Sequence, residues 1–80
     1  MNRTDMMRQL QDIFRDLFED DAIEITDATT AADIEDWDSL AHIELVAMVE
    51  NHFHIRFSLG EINSFANVGE MCDCVLKHLA

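Results

Sequence analysis

Eighty residues suffice for one hydrophobic core near the lower size limit for independent stability, which argues against a deep catalytic pocket and for a small binding or carrier module, a single domain over residues 1–80. A formal charge of −12, from 17 Asp and Glu against 5 Lys and Arg, repels phosphate backbones and anionic head groups, so neither nucleic acid nor a membrane is an expected partner. A hydrophobic content of 49% is too high for a disordered acidic tail, and no run has the length of a signal peptide or membrane span; a folded cytoplasmic protein is expected.

The first predicted helix carries Met6, Leu10, Ile13 and Leu17, with Met7, Phe14 and Phe18 beside them, at the three- and four-residue steps of one broad apolar stripe. Thr4 is its expected N-cap, with Asp5 favourable in the first turn, and its end is expected near Glu19. From Asp20 to Trp37 the period breaks, and Ile23, Ile25, Ile34 and Trp37 are spaced like anchors for a long loop, a kind of segment that tends to be functional. Asp38 then offers a capping oxygen to a second helix, Ser39 to Phe53, with Leu40, Ile43, Val46, Ala47, Val49 and Phe53 on its expected apolar face.

Ser58 and Glu61 form an S-x-x-E capping box that announces a short third helix carrying Ile62 and bordering Phe65. Asn67 with Glu70 repeats the arrangement before a fourth helix, along which Val68, Met71, Cys72, Val75 and Leu79 step, with Lys77 and His78 near its negative end. No segment alternates as a strand would, and with no proline the caps must define the helix ends. The expected fold is all-α: a four-helix, antiparallel-type bundle of three main helices and one short one.

Charge is unevenly spread along this chain. Twelve of the acids lie between Asp16 and Glu50, and all five bases lie outside that stretch, so a protein partner should present a basic surface. Cys72 and Cys74 diverge as i,i+2 neighbours on a helix, which disfavours a disulfide between them. Cys74 and His78 share a face at i,i+4, but two ligands do not close a zinc shell, and no metal is expected. The acids from Asp33 to Glu44 lack the central glycine and ligand order of a calcium-binding EF-hand loop.

Within the acidic stretch stands Asp38-Ser39-Leu40, a serine opening a helix. As a nucleophile Ser39 would need a base, an orienting group and oxyanion donors; Gly60 and Gly69 are remote, and His42, the nearest histidine, has no evident orienting partner. A helix N-terminus is nevertheless suited to a phosphodiester, because its free N–H groups and dipole favour an anion. The tripeptide alone arises by chance in about one chain in forty of this length, and Ser39 as a mere helix start remains the alternative.

The wider segment Ile34 to Val46, IEDWDSLAHIELV, resembles the acyl carrier proteins, whose D-S-L motif precedes a helix of this pattern. Glu50 and Phe53 fall where that family has an acid and an aromatic, Phe57 to Val68 resembles its short third helix, and the likeness spans essentially the whole chain. The resemblance implies a non-enzymatic, monomeric, free-standing carrier. Ser39 would receive 4'-phosphopantetheine from coenzyme A through a separate Mg²⁺-dependent phosphopantetheinyl transferase, and the arm's thiol would hold acyl groups as thioesters. Asp38 and Leu40 would present the serine; Glu35, Asp36, Glu44 and Glu50 would meet basic docking surfaces on acyltransferases, ligases or synthases. Met48 is either an adaptable apolar partner contact beside them or a core residue, and Trp37 either an anchor of the long loop or an exposed platform beside the arm. Val46, Val49, Phe57, Ile62 and Phe65 would border a space that shelters the acyl chain.

Trp37 stands where fatty-acid carriers have a small residue and Ala41 where they often have an acid; Asn51 and His52 dilute the acidic cluster, and Ser58 replaces the common proline. These departures resemble carriers of polyketide or hybrid peptide synthesis, or of another specialised acyl-transfer pathway, more than the housekeeping fatty-acid protein, with fatty-acid-type biosynthesis as the remaining alternative. The rival reading is an acidic helical interaction module without a prosthetic group.

Overall fold

In a computed structural model that describes residues 2–80, the chain forms α1 (Arg3–Phe18), α2 (Ser39–Phe53), α3 (Leu59–Ser64) and α4 (Val68–Leu79), with one 3-10 turn at Ala31–Asp33. The all-α expectation and the three-long, one-short pattern hold. Residues that cap each helix are those whose side chains reach a first-turn amide: Asn2 accepts from Asp5 N–H, Asp38 from Ala41 N–H, Ser58 from Glu61 N–H and Asn67 from Glu70 N–H.

Thr4 is therefore not the N-cap. It lies inside α1, and Asn2, a cap at least as strong, starts the helix two residues earlier. With no proline to stop them, α1 and α2 end in left-handed residues, Glu19 (φ 52°) and His54 (φ 56°); Asp20 and Ile55 N–H groups close back onto Arg15 and Glu50 carbonyls.

Met6, Leu10, Ile13 and Phe14 turn the stripe of α1 into the core, and α1 packs on both α2 and α4. From α4 come Val68, Met71, Cys72 and Val75; Leu79, expected on the same stripe, is exposed at the helix end. Helix α2 departs further from expectation. Leu45, Val46, Val49 and Phe53 are its buried side, whereas Leu40 and Ile43 are 66% and 64% exposed and Ala47 is exposed with them. The helix carries two apolar stripes, and only one meets the core.

Residues 19–38 are held down by bonds to their own backbone. Arg15 Nε donates to Ile23 O (2.8 Å), Gln11 Oε1 accepts from Ile25 N–H (3.0 Å), and Val68 and Gly69 N–H groups donate to Thr29 O and Asp27 O (2.8 and 2.9 Å). Arg3 reaches from α1 to Asp27, Asp73 and Gly69 O, and its bonds to Asp27 first and Asp73 second hold the guanidinium more firmly protonated than usual. Trp37 closes the segment: it is buried, edge-on to Phe14 at 5.2 Å.

Its indole Nε1–H donates to His42 Nδ1 (3.2 Å), which leaves His42 Nε2–H to donate to Ile62 O (3.1 Å) and ties α3 to α2. His42 thus has the partners that its sequence context did not reveal. Ile62 and Phe65 pack on the core as half-buried residues.

Gly69 has no room for a side chain, since an added Cβ would stand 2.9 Å from Asp27 O; at Gly60 nothing lies within 4 Å. Gly69→Ala should therefore lose about 1–2 kcal/mol, overpacking being only partly offset by helix propensity, while Gly60→Ala should gain about 0.5–1 kcal/mol. Urea unfolding followed by the fluorescence of Trp37 measures both. His42→Ala removes two part-buried hydrogen bonds and leaves the indole N–H without its acceptor, which should cost about 1–3 kcal/mol and alter Trp37 emission in the folded state.

Candidate functional site

The N-terminus of α2 assembles the candidate site. Trp37 is anchored in the core, Asp38 caps the helix through its side chain to Ala41 N–H (2.8 Å) and through its carbonyl to His42 N–H (2.9 Å), and Ser39 follows on the surface. The Ser39 hydroxyl is open to solvent, at a helix end where N–H groups and the dipole favour a negatively charged substituent.

Beside it runs a groove of about 510 Å³ between α2 and α3. Trp37, Asp38, Ser39, His42 and Ile43 form one side, and Ile62, Asn63 and Phe65 the other. A slender chain starting at Ser39 can lie along this groove, so the residues present fit a flexible arm mounted at that hydroxyl.

Ser39 is not equipped to act by itself. Both ring nitrogens of His42 are engaged, one by Trp37 and the other by Ile62 O, so the ring is a cross-brace and offers no free lone pair to take a proton from the serine. No buried side-chain N or O among the described residues lacks a hydrogen-bond partner.

The residues expected to act together divide into three groups. Asp38, Ser39 and Leu40 are exposed and contiguous. Glu35, Asp36 and Glu44 are exposed around the same end, and no ion pair among the described residues involves them; Glu50 is half-buried and accepts Phe57 N–H (2.8 Å), and Met48 is half-buried against the core. Ile62 and Phe65 line the groove, while Val46, Val49 and Phe57 lie in the core behind it.

Sequence reasoning missed Ile43 and Asn63 on the groove walls and His42 as the link between its two sides. For His42 a signal existed: it lies five residues after Trp37 on a helix that begins between them. Nothing local marked its acceptor, a backbone carbonyl twenty residues away.

No helix among the described residues is long and apolar enough to cross a membrane. Residues 8–75 match the family described as "Phosphopantetheine attachment site". Among solved structures, the chain is similar to the holo acyl carrier protein of Geobacter metallireducens, determined in solution by NMR: 44% identity, a TM-score of 0.88, and coverage of 92% of this chain and 85% of that one. No curated protein matches. With a family match over most of its length and a four-helix bundle that superposes on a relative, the chain belongs to the acyl carrier proteins, non-catalytic carriers that bear a covalent 4'-phosphopantetheine.

Proposed function

We propose that the prosthetic arm of this carrier is attached at Ser39 Oγ, and that the chain delivers acyl intermediates to the enzymes of a specialised pathway of polyketide or hybrid peptide type. The observation that carries the assignment is the exposed Ser39 hydroxyl at the N-terminus of α2, opening onto the groove between α2 and α3. The group supplies a terminal thiol that holds acyl chains as thioesters.

Each neighbouring residue contributes something separable. Asp38 fixes the first turn, so that Ser39 is presented on a rigid base; Leu40 gives an incoming transferase apolar surface beside the hydroxyl. As the phosphodiester forms, the pyrophosphate bond of coenzyme A breaks and adenosine 3',5'-bisphosphate leaves, while Ser39 loses its proton to that transferase, because no base among the described residues is aimed at it. Ile62 and Phe65 offer the acyl chain a wall to lie against, and Val46, Val49 and Phe57 are reached only if α3 moves outward.

The docking surface combines Leu40, Ile43 and Ala47, the exposed apolar stripe of α2, with Glu35, Asp36 and Glu44; Glu50 and Met48 lie at its buried margin. Such a face suits short visits to several enzymes with basic surfaces, since charge complementarity speeds encounter without requiring tight binding. A monomer in the cytoplasm fits this traffic, as do two cysteines that are free thiols. The specialised pathway is supported by Trp37 before the serine and Ala41 after it.

Incubation with coenzyme A and a competent transferase should add one phosphopantetheine mass to the chain, and Ser39→Ala should add none; a wild type that stays unmodified beside a labelled control carrier refutes the assignment. At the docking face, Glu44→Gln should slow loading or transfer by no more than about fivefold, because an exposed charge contributes about 1 kcal/mol or less. The difference should shrink as salt rises.

A further inference from the structure

On the side of α3 away from the groove, three side chains of metal-binding type converge. Glu61 projects from α3, and Cys74 and His78 share one face of α4 at i,i+4. Their ligand atoms all lie within 4.8 Å of one another. Cys74 Sγ–H donates to Glu61 Oε2 (3.1 Å), and His78 Nε2 meets Glu61 Oε2 and Oε1 (3.0 and 3.1 Å).

We propose that Glu61, Cys74 and His78 are ligands of a Zn²⁺ ion that locks α3 to α4, with water completing the tetrahedron. Bond lengths of 2.0–2.3 Å about zinc place neighbouring ligand atoms roughly 3.3–3.8 Å apart. The Glu61–Cys74 and Glu61–His78 pairs, at 3.1 and 3.0 Å, therefore have to open by about half an ångström, and the Cys74–His78 pair has to close by no more than about 1–1.5 Å from its limit of 4.8 Å. Thiolate and imidazole select zinc over the hard cations Mg²⁺ and Ca²⁺.

The proton balance is simple. One proton leaves Cys74 Sγ for solvent as the Zn–S bond forms; Glu61 is already ionised; His78 binds through Nε2 with its ring proton on Nδ1. Two negative ligands then offset the ion's two charges. Bonds from Ser58 N–H, the Cys74 thiol and His78, the first being the largest cause, hold the Glu61 carboxyl down to about 2. Burial, and then the bond to Glu61, push the Cys74 thiol up, and metal binding has to displace that proton.

The consequence reaches the groove. Ile62 and Asn63, adjacent to Glu61 in α3, line it, and the ring of His78 stands edge-on to Phe57 (5.5 Å), which stands edge-on to the groove residue Phe65 (5.4 Å). Fixing Glu61 to α4 restrains the wall that has to move for an acyl chain to enter.

The test uses the full chain expressed without a transferase, so that no arm thiol competes, titrated with Zn²⁺ by calorimetry and with Co²⁺ as the spectroscopic probe. The expected result is one ion per chain with affinity in about the micromolar range, a cobalt–thiolate charge-transfer absorption, and a thermal midpoint that rises with Zn²⁺ concentration. Cys74→Ser, His78→Ala and Glu61→Gln, each shown by circular dichroism to keep its helices, should each weaken Zn²⁺ binding by more than about 100-fold, beyond the loss from an outer-shell change; Cys72→Ala should not. Absence of the thiolate absorption in the wild type, or undiminished binding in any of the three folded variants, overturns the site and leaves the trio a hydrogen-bonded clasp.

Discussion

The burial of Trp37 is the constraint from which the rest of the site follows. A connection spanning residues 19–38 has no regular structure beyond one 3-10 turn, and such a segment would leave the next helix loosely placed. Burying one large indole contributes about 2–3 kcal/mol, and its edge-on contact with Phe14 adds about 0.5–1.5 kcal/mol. The chain is thereby fixed one residue before the cap and two before the serine. Asp38 can then cap at a defined position, and Ser39 emerges in a fixed direction on the surface.

The same segment explains how a strongly acidic chain stays folded while presenting its charge. Arg3, Arg8 and Arg15 are all engaged near α1: Arg3 with Asp27 and Asp73, Arg8 with Asp5, Arg15 with the Ile23 carbonyl. Arg3 and Arg15 are thus taken up where the loop must be pinned, Arg8 pairs within α1, and no ion pair among the described residues involves Glu35, Asp36 or Glu44. These exposed pairs add little to stability. The core supplies it, and in the proposed docking the charge serves encounter and selection.

Much of this was legible in the sequence, for identifiable reasons. The boundaries of α2, the Ser58–Glu61 box and the Asn67 cap follow from local rules in which one side chain answers an amide two or three residues away. The cap of α1 was misread because Asn2 and Thr4 both satisfy that rule, and only the folded chain decides between them. Helix α2 shows the limit of periodicity: Leu40, Ile43 and Ala47 are spaced as well as Leu45, Val49 and Phe53, and which stripe is buried depends on where α1 lies. The His42 brace and the meeting of Glu61 with Cys74 and His78 join residues 13 to 20 apart in the chain, and no local pattern reports such distances.

Stability is distributed so that one wall of the groove is softer than the other. Helix α2 runs fifteen residues and buries four of them, whereas α3 has six residues and none fully buried. A helix so short is not stable on its own; its capping box closes its first turn, and its position rests on external ties: the His42 bond to Ile62 O, the half-buried contacts of Ile62 and Phe65, and the contacts of Glu61 with α4. Each tie is one or two bonds, weak enough to open and close without unfolding the core. A carrier needs that asymmetry. Under the proposed attachment at Ser39, the serine sits on the firmer wall and the cargo enters past the softer one.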